Sequence, residues 1–223
     1  MDLLQNAELC ILESSDTLQE LLLKLGFNDE NPWELPEIII ANAGGIKIYQ
    51  YPNQFSKYLC FLRYQNITSY IEIGCRWGGT FMTTTEYLKR FNPLTKSIAV
   101  DIIESPVVEY CNLNKETEFL QIDSQSDSFK EYIKDKHFDL IFIDGDHSYD
   151  GVKNDYENTK NNGNIFVFHD IVSDACEGVV QFWNELKTNE NDTYNFFEFI
   201  DQYDEVYERE QKRFFGIGVA IKK

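Results

Sequence analysis

From residue 70 onward, short apolar runs alternate with longer stretches of helical spacing. Tyr70–Ile73 is apolar apart from Glu72 and stops at Gly74, Gly78 and Gly79, the pattern of a buried strand entering a glycine turn. Residues 80–91 carry Phe81, Tyr87, Leu88 and Phe91 at helical spacing, so a helix follows, with its first amides free to face whatever lies above the strand. Further strands are predicted at 97–103, 118–122, 137–143 and 164–168, with a crossover helix at 149–162. A helix at 178–186 and strands at 196–200 and 215–221 complete the pattern. Strand, helix, strand repeated in this way predicts an α/β fold with a doubly wound, mostly parallel, seven-stranded sheet and ligands at the carboxyl ends of its strands.

The first 45 residues read differently, as an N-terminal helical extension ahead of a main domain at 46–223. Leu18, Leu21, Leu22 and Leu25 form a stripe, Thr17 and Glu20 have capping-box spacing, and Gly26 is a natural stop. Such a stripe must bury itself, either on the body of the protein or in a lid or homo-oligomer contact. A polar connector at 28–36 leads to short strands expected at 37–40 and 46–51, around Ala43, Gly44 and Gly45, and then to a helix at 52–64.

The charge narrows the partners. With 38 acidic against 20 basic residues and a formal net charge of −18, the chain opposes extended contact with nucleic acid or an anionic membrane surface. The expected partner is a small-molecule acceptor. Five scattered cysteines with no CxxC pair suggest neither a disulfide framework nor a cysteine zinc site. The start, MDLLQNAELC, lacks a basic segment and a long apolar core, so the expected compartment is the cytoplasm.

Candidate chemistry gathers at the predicted strand ends. Asp101 falls 22 residues beyond Gly79, where an acidic side chain can accept both hydroxyls of a ribose. Asp123 and Ser124 follow the third strand at the edge where an adenine amino group would lie, although Asp123 can equally cap the next helix. Two of the three histidines, His147 and His169, sit with Asp144, Asp146 and Asp170 just past strands four and five. If those strands are neighbours, about 4.8 Å apart, the groups converge on one volume, and such crowding of carboxylates is costly without a cation. Oxygen ligands with at most one imidazole, and no thiolate at hand, suit Mg²⁺ or Mn²⁺ better than zinc. Alternatively the aspartates form turns and caps and the histidines are satisfied by hydrogen bonds.

The segments EIGCRWGGT (72–80), VD (100–101), FIDGDHSYDGVKND (142–155) and GNIFVFHDI (163–171), with FGIGVAI at the end, resemble class I S-adenosylmethionine-dependent methyltransferases. Within them the chain looks most like the branch with macrolide sugar O-methyltransferases and cephalosporin hydroxylase-like proteins. The resemblance covers about residues 46–223 and implies a Rossmann-like fold. It implies that Glu72, Gly74 and Gly78 hold the methionine end of S-adenosylmethionine and Asp101 its ribose, with Asp123 and Ser124 near the adenine. It further implies metal ligands at Asp144, His169 and Asp170, and a general base at His147. Arg76 departs from the pattern, standing where many methyltransferases have a glycine, and so does His169, where relatives usually have an oxygen ligand.

The implied activity is methyl transfer to a hydroxyl of a small, sugar-like acceptor. Rival readings are an N-methyltransferase, a hydroxylase-like or non-methylating accessory protein on the same fold, and a binding module without catalytic ability. An NAD-dependent oxidoreductase is disfavoured because the loop reads GxxxGG rather than GxGxxG.

Overall fold

The computed structural model describes residues 1–27 and 30–223; the first two positions of the 28–36 connector lie outside the described residues. Three helices open the chain, α1 (Asp2–Gln5), α2 (Leu9–Glu13) and α3 (Ser15–Leu25). The third starts earlier than Thr17 and Glu20 suggest: Ser14 precedes it, and the Thr17 hydroxyl donates instead to the Ile11 carbonyl at 2.7 Å. Gly26 ends it as expected, with a positive φ of 118°.

Two-residue strands β1 (Gly26–Phe27) and β2 (Gly44–Gly45) pair antiparallel. The strand expected at 37–40 is instead the short helix α4 (Glu37–Ile40), entered from Pro36, whose φ of −70° suits a helix start. The strand expected at 46–51 is reduced to one bridge, Ile48 to Phe27, because Lys47, at a φ of 48°, breaks the extended backbone.

Helix α5 (Pro52–Leu62) leads to β3 (Ser69–Ile73) and α6 (Gly79–Phe91). Then come β4 (Lys96–Asp101), α7 (Val107–Leu113), β5 (Thr117–Gln121), α8 (Asp127–Ile133), β6 (Phe138–Ile143), α9 (Tyr149–Thr159) and β7 (Gly163–His169). Helix α10 (Glu177–Asn189), β8 (Tyr194–Phe199), α11 (Asp204–Glu210) and β9 (Ile217–Lys222) finish the chain. The acidic stretch at 201–210, which reads as a surface loop, thus contains a helix: Val206 is buried and anchors it.

The large sheet has the order β5-β4-β3-β6-β7-β9-β8. Its first five strands are parallel, and β9 runs against both β7 and β8. This is the predicted α/β class with a mostly parallel, seven-stranded, doubly wound sheet. Alternation along β3 sends Tyr70 and Glu72 to the face covered by α3, α5 and α6, and Ile71 and Ile73 to the face covered by α8, α9 and α10.

The leucine stripe of α3 is buried within the chain, in the same core as Tyr58, Leu59 and Tyr87. Arg90 of α6 holds the amino-terminal segment by donating to the carbonyls of Leu4 and Gln5 at 2.7 Å and of Ala7 at 2.9 Å. No described helix is long and apolar enough to cross a membrane.

The chain leaves β3 for β4 and β5 on one side and returns to β6 on the other. The carboxyl ends of β3 and β6 therefore mark a switch point, where such sheets open a crevice.

Candidate active site

A cavity of about 850 Å³ occupies that crevice. The turn after β3 forms its floor. Gly74 has a φ of +86°, and a Cβ there would stand 2.1 Å from the Asp144 carbonyl oxygen, so only glycine lets the ends of β3 and β6 meet. Gly78, at φ +81°, opens α6, and a side chain on it would collide with Val107. Arg76 also has a positive φ, 44°. It adopts the left-handed conformation a glycine would take with less strain, so the departure from the family pattern is in side chain and not in backbone shape.

Asp101, at the end of β4, accepts the Arg76 amide at 2.7 Å and the Ile103 amide at 3.1 Å. Its carboxylate therefore fixes the glycine turn while lining the cavity. Glu72 is 1% exposed and accepts from the Tyr70 hydroxyl. Burial raises its carboxyl above the usual range, the Tyr70 bond offsets part of this, and the Asp144 charge adds to it, leaving it at about 8.

Asp123 and Ser124 line the same cavity beyond β5. Asp123 accepts the Gln125 amide at 2.8 Å and forms a turn, while the cap of α8 is Ser126. The Ser124 hydroxyl points inward and donates to Asp155 at 2.7 Å. Asp155 lies on the crossover helix and had no signal beyond its place in the 142–155 segment.

The cluster expected past strands four and five forms. His169 Nδ1 lies 3.0 Å from Asp144 Oδ1 and 3.4 Å from Asp170 Oδ2. His147 spans the same two carboxylates, Nε2 at 3.1 Å from Asp144 and Nδ1 at 3.1 Å from Asp170. Asp146 stands apart at the start of α9, where it accepts the Ser148 amide at 2.9 Å. Asp170 has a φ of +60°, a conformation aspartate tolerates better than most residues.

Burial opposes every charge in this cluster, and the mutual attraction outweighs it. Both imidazoles are pushed well above the ordinary histidine range by Asp144 and Asp170, while both carboxyls are held below theirs. The attraction between the two imidazoles and the two carboxylates eases the crowding of like charge. The arrangement also fits a cation: Asp144, His169 and Asp170 offer ligand atoms within 4.8 Å of one another. One nitrogen among oxygens suits Mn²⁺ at least as well as Mg²⁺.

The expectation that no thiolate is at hand is corrected. Cys176, the residue before α10, places Sγ 3.3 Å from Asp170 Oδ2 and 3.3 Å from His147 Nδ1. Its separation from Asp170 by only six positions, across a helix start, was the available signal.

The amino-terminal segment supplies residues that sequence reasoning did not find. Gln50 Nε2 is 3.5 Å from Asp144 Oδ2. Tyr49 donates to Glu34, and its ring meets Phe215 edge-on at 5.1 Å, which in turn lies 5.5 Å from the His169 ring. Burial raises the Glu34 carboxyl, the Tyr49 bond lowers it in part, and the Asp170 charge raises it again.

Residues 71–171 match a family described as a methyltransferase domain. No protein with a curated description matches the chain. Among solved structures, an O-methyltransferase from Bacillus cereus in complex with SAH is similar over 98% of this chain and 93% of its own, with a TM-score of 0.55 and 15% identity. The O-methyltransferase TomG from Streptomyces achromogenes, involved in tomaymycin synthesis and solved with SAM, is similar over 82% of this chain and 85% of its own, with a TM-score of 0.56 and 9% identity. MycE, a methyltransferase of the mycinamycin biosynthetic pathway solved with Mg and SAH, is similar over 78% of this chain and 50% of its own, with a TM-score of 0.51 and 15% identity. At such identities the likeness to these structures is one of fold.

Proposed function

We propose that this chain, an S-adenosylmethionine-dependent methyltransferase by its matching domain and its fold, methylates a hydroxyl of a small, sugar-like acceptor. The observation that carries the reading is the continuity of one cavity, which joins Gly74, Asp101 and Asp123 on one side to Asp144, His147 and Asp170 on the other.

When bound, S-adenosylmethionine supplies an electrophilic methyl carbon on a sulfonium. Asp101 keeps lone pairs for ribose hydroxyls beyond those used by the two amides it accepts. Glu72, Gly74 and Gly78 would hold the methionine end, and the 123–124 backbone would border the adenine. Among the described residues seven acidic side chains line the cavity against Lys47, Arg76 and two histidines, which disfavours an anionic acceptor. The rings of Tyr49 and Phe215 offer an apolar wall for a saturated ring bearing hydroxyls.

During transfer to an acceptor hydroxyl, His147 would be the group that takes the hydroxyl proton. To do so it must first release to solvent the proton that Asp144 and Asp170 favour on its ring and give up one carboxylate partner, since both ring nitrogens are engaged. A divalent cation at Asp144, His169 and Asp170 would lower the pKa of vicinal hydroxyls held there. Most of the chain's contribution is placement of the oxygen in line with the methyl group.

The test is transfer of an isotopically labelled methyl group to a panel of glycosides and amino sugars, with and without EDTA followed by Mg²⁺ or Mn²⁺. Calorimetry with SAH and NAD accompanies it. Binding of NAD but not SAH would remove the reading; methylation of amines alone would turn it to N-transfer.

A further inference from the structure

Cys176 is the member of the cluster that the proposed chemistry leaves unused. Its Sγ is 3.3 Å from Asp170 Oδ2 and 3.3 Å from His147 Nδ1, and those two atoms are 3.1 Å apart. The three side chains come from three separate segments: the loop after β6, the end of β7 and the residue before α10. For an ion bonded to sulfur, nitrogen and oxygen at about 2.0 to 2.3 Å, ligand atoms stand roughly 3.0 to 3.6 Å apart at angles between square and tetrahedral. All three sides of this triangle fall in that range.

The triangle is distinct from the Asp144, His169 and Asp170 set and shares only Asp170 with it. Its donors also differ in kind. Mg²⁺ takes oxygen and keeps water, whereas a thiolate with an imidazole and a carboxylate suits Zn²⁺, Co²⁺ or Fe²⁺. The position is reachable, because Cys176 and His147 both line the cavity and the His147 side chain is 38% exposed. That exposure leaves room for water as a further ligand.

We infer that His147, Asp170 and Cys176 form a second cation position that takes a borderline-soft divalent ion such as Zn²⁺. Loading sends the thiol proton and the Nδ1 proton of His147 to solvent. The ion then occupies Nδ1 while Nε2 remains on Asp144, so the loaded protein lacks a free imidazole lone pair and is inhibited; this consequence rests on His147 as the base.

Cobalt(II) is the probe. Titrated into the purified protein in thiol-free buffer, it should produce the near-ultraviolet charge-transfer absorption of a cobalt–thiolate bond. In Cys176→Ser the band should vanish and Co²⁺ should bind more weakly by at least the roughly 10- to 100-fold that outer-shell changes cost. Cys10, Cys60, Cys75 and Cys111 remain in that variant as an internal control, and unchanged SAH affinity shows that it folds. A parent protein without the band, or a variant that keeps it, overturns the site. Zn²⁺ should inhibit methyl transfer by the parent and spare Cys176→Ser. If the cobalt band behaves as expected while zinc leaves transfer untouched, the cation position stands and His147 as the base falls. The cobalt measurement needs no turnover, so it decides the site independently of the acceptor.

Discussion

Ser124 donates its hydroxyl to Asp155 over 2.7 Å, so the side chain expected beside an adenine is turned into the fold. Asp155 is fully buried, and its second carboxylate oxygen has no partner among the described residues. Asn158 of the same helix donates to the Ser124 carbonyl at 3.1 Å. Helix α9, which begins beside His147, therefore also holds the 123–124 loop at the cavity wall.

Asp155→Ala should weaken SAH binding by roughly 1 to 3 kcal/mol, the cost of an abandoned buried hydrogen bond, and leave kcat little changed. Asp155→Asn, which still offers Ser124 an acceptor, should recover most of it. Calorimetry with SAH checks both. Parent-like affinity in the alanine variant would show that the loop keeps its shape without this bond.

Glu72 predicts a pH dependence of stability. Burial raises its carboxyl from 4.5 to about 8. Between those values the folded protein keeps a proton that the unfolded chain has released, so stability falls as pH rises through the window. Glu72→Gln keeps an acceptor for Tyr70 and removes the titration. Urea melts at pH 5 and pH 8 should show the parent losing more stability than the variant, by up to a few kcal/mol. Equal losses would mean that Glu72 is already ionised at pH 5.

Asp101 holds the turn after β3 and, in the proposed function, a ribose, and substitutions test both. Asp101→Ala removes ribose acceptors and the partners of the Arg76 and Ile103 amides, and should cost roughly 1 to 3 kcal/mol in SAH affinity. Asp101→Asn keeps one oxygen, enough for one of the two amides, and should recover only part of the alanine variant's loss. If both variants bind SAH like the parent, Asp101 is not part of the cofactor site.

The sheet was legible because each strand is a short apolar run bounded by turn residues, and the parallel class follows from the helices between them. The cluster past β6 and β7 was legible for the same reason, since Asp144 and His169 end adjacent strands. What escaped was set by packing. Residues 37–40, EIII, suit a strand by composition, but they follow Pro36 into a helical turn of which only Ile39 is buried. Cys176 needed the path of the chain from Asp170 to α10, and Tyr49 and Gln50 needed the fold of a segment with little periodicity of its own. The destination of the α3 stripe was equally hidden, because four leucines state that a face is buried and not what covers it.

His147 provides the sharpest test of the chemistry. Its ring is held between Asp144 and Asp170, an arrangement that orients the imidazole well and also keeps it protonated. A base in that position works only when one carboxylate lets go and the ring sheds its proton to solvent, as it would on binding a cation or an acceptor hydroxyl. His147→Ala should lower kcat by roughly 10² to 10⁴ and leave SAH affinity nearly unchanged, since Glu72, Gly74, Gly78 and Asp101 are untouched. His147→Gln can fill the space and hydrogen-bond to a carboxylate but cannot accept the proton, so it should fall as far as alanine. If glutamine restores activity, His147 positions the acceptor and does not take its proton. If alanine itself turns over within a few-fold of the parent, the proton leaves by water or through Asp146.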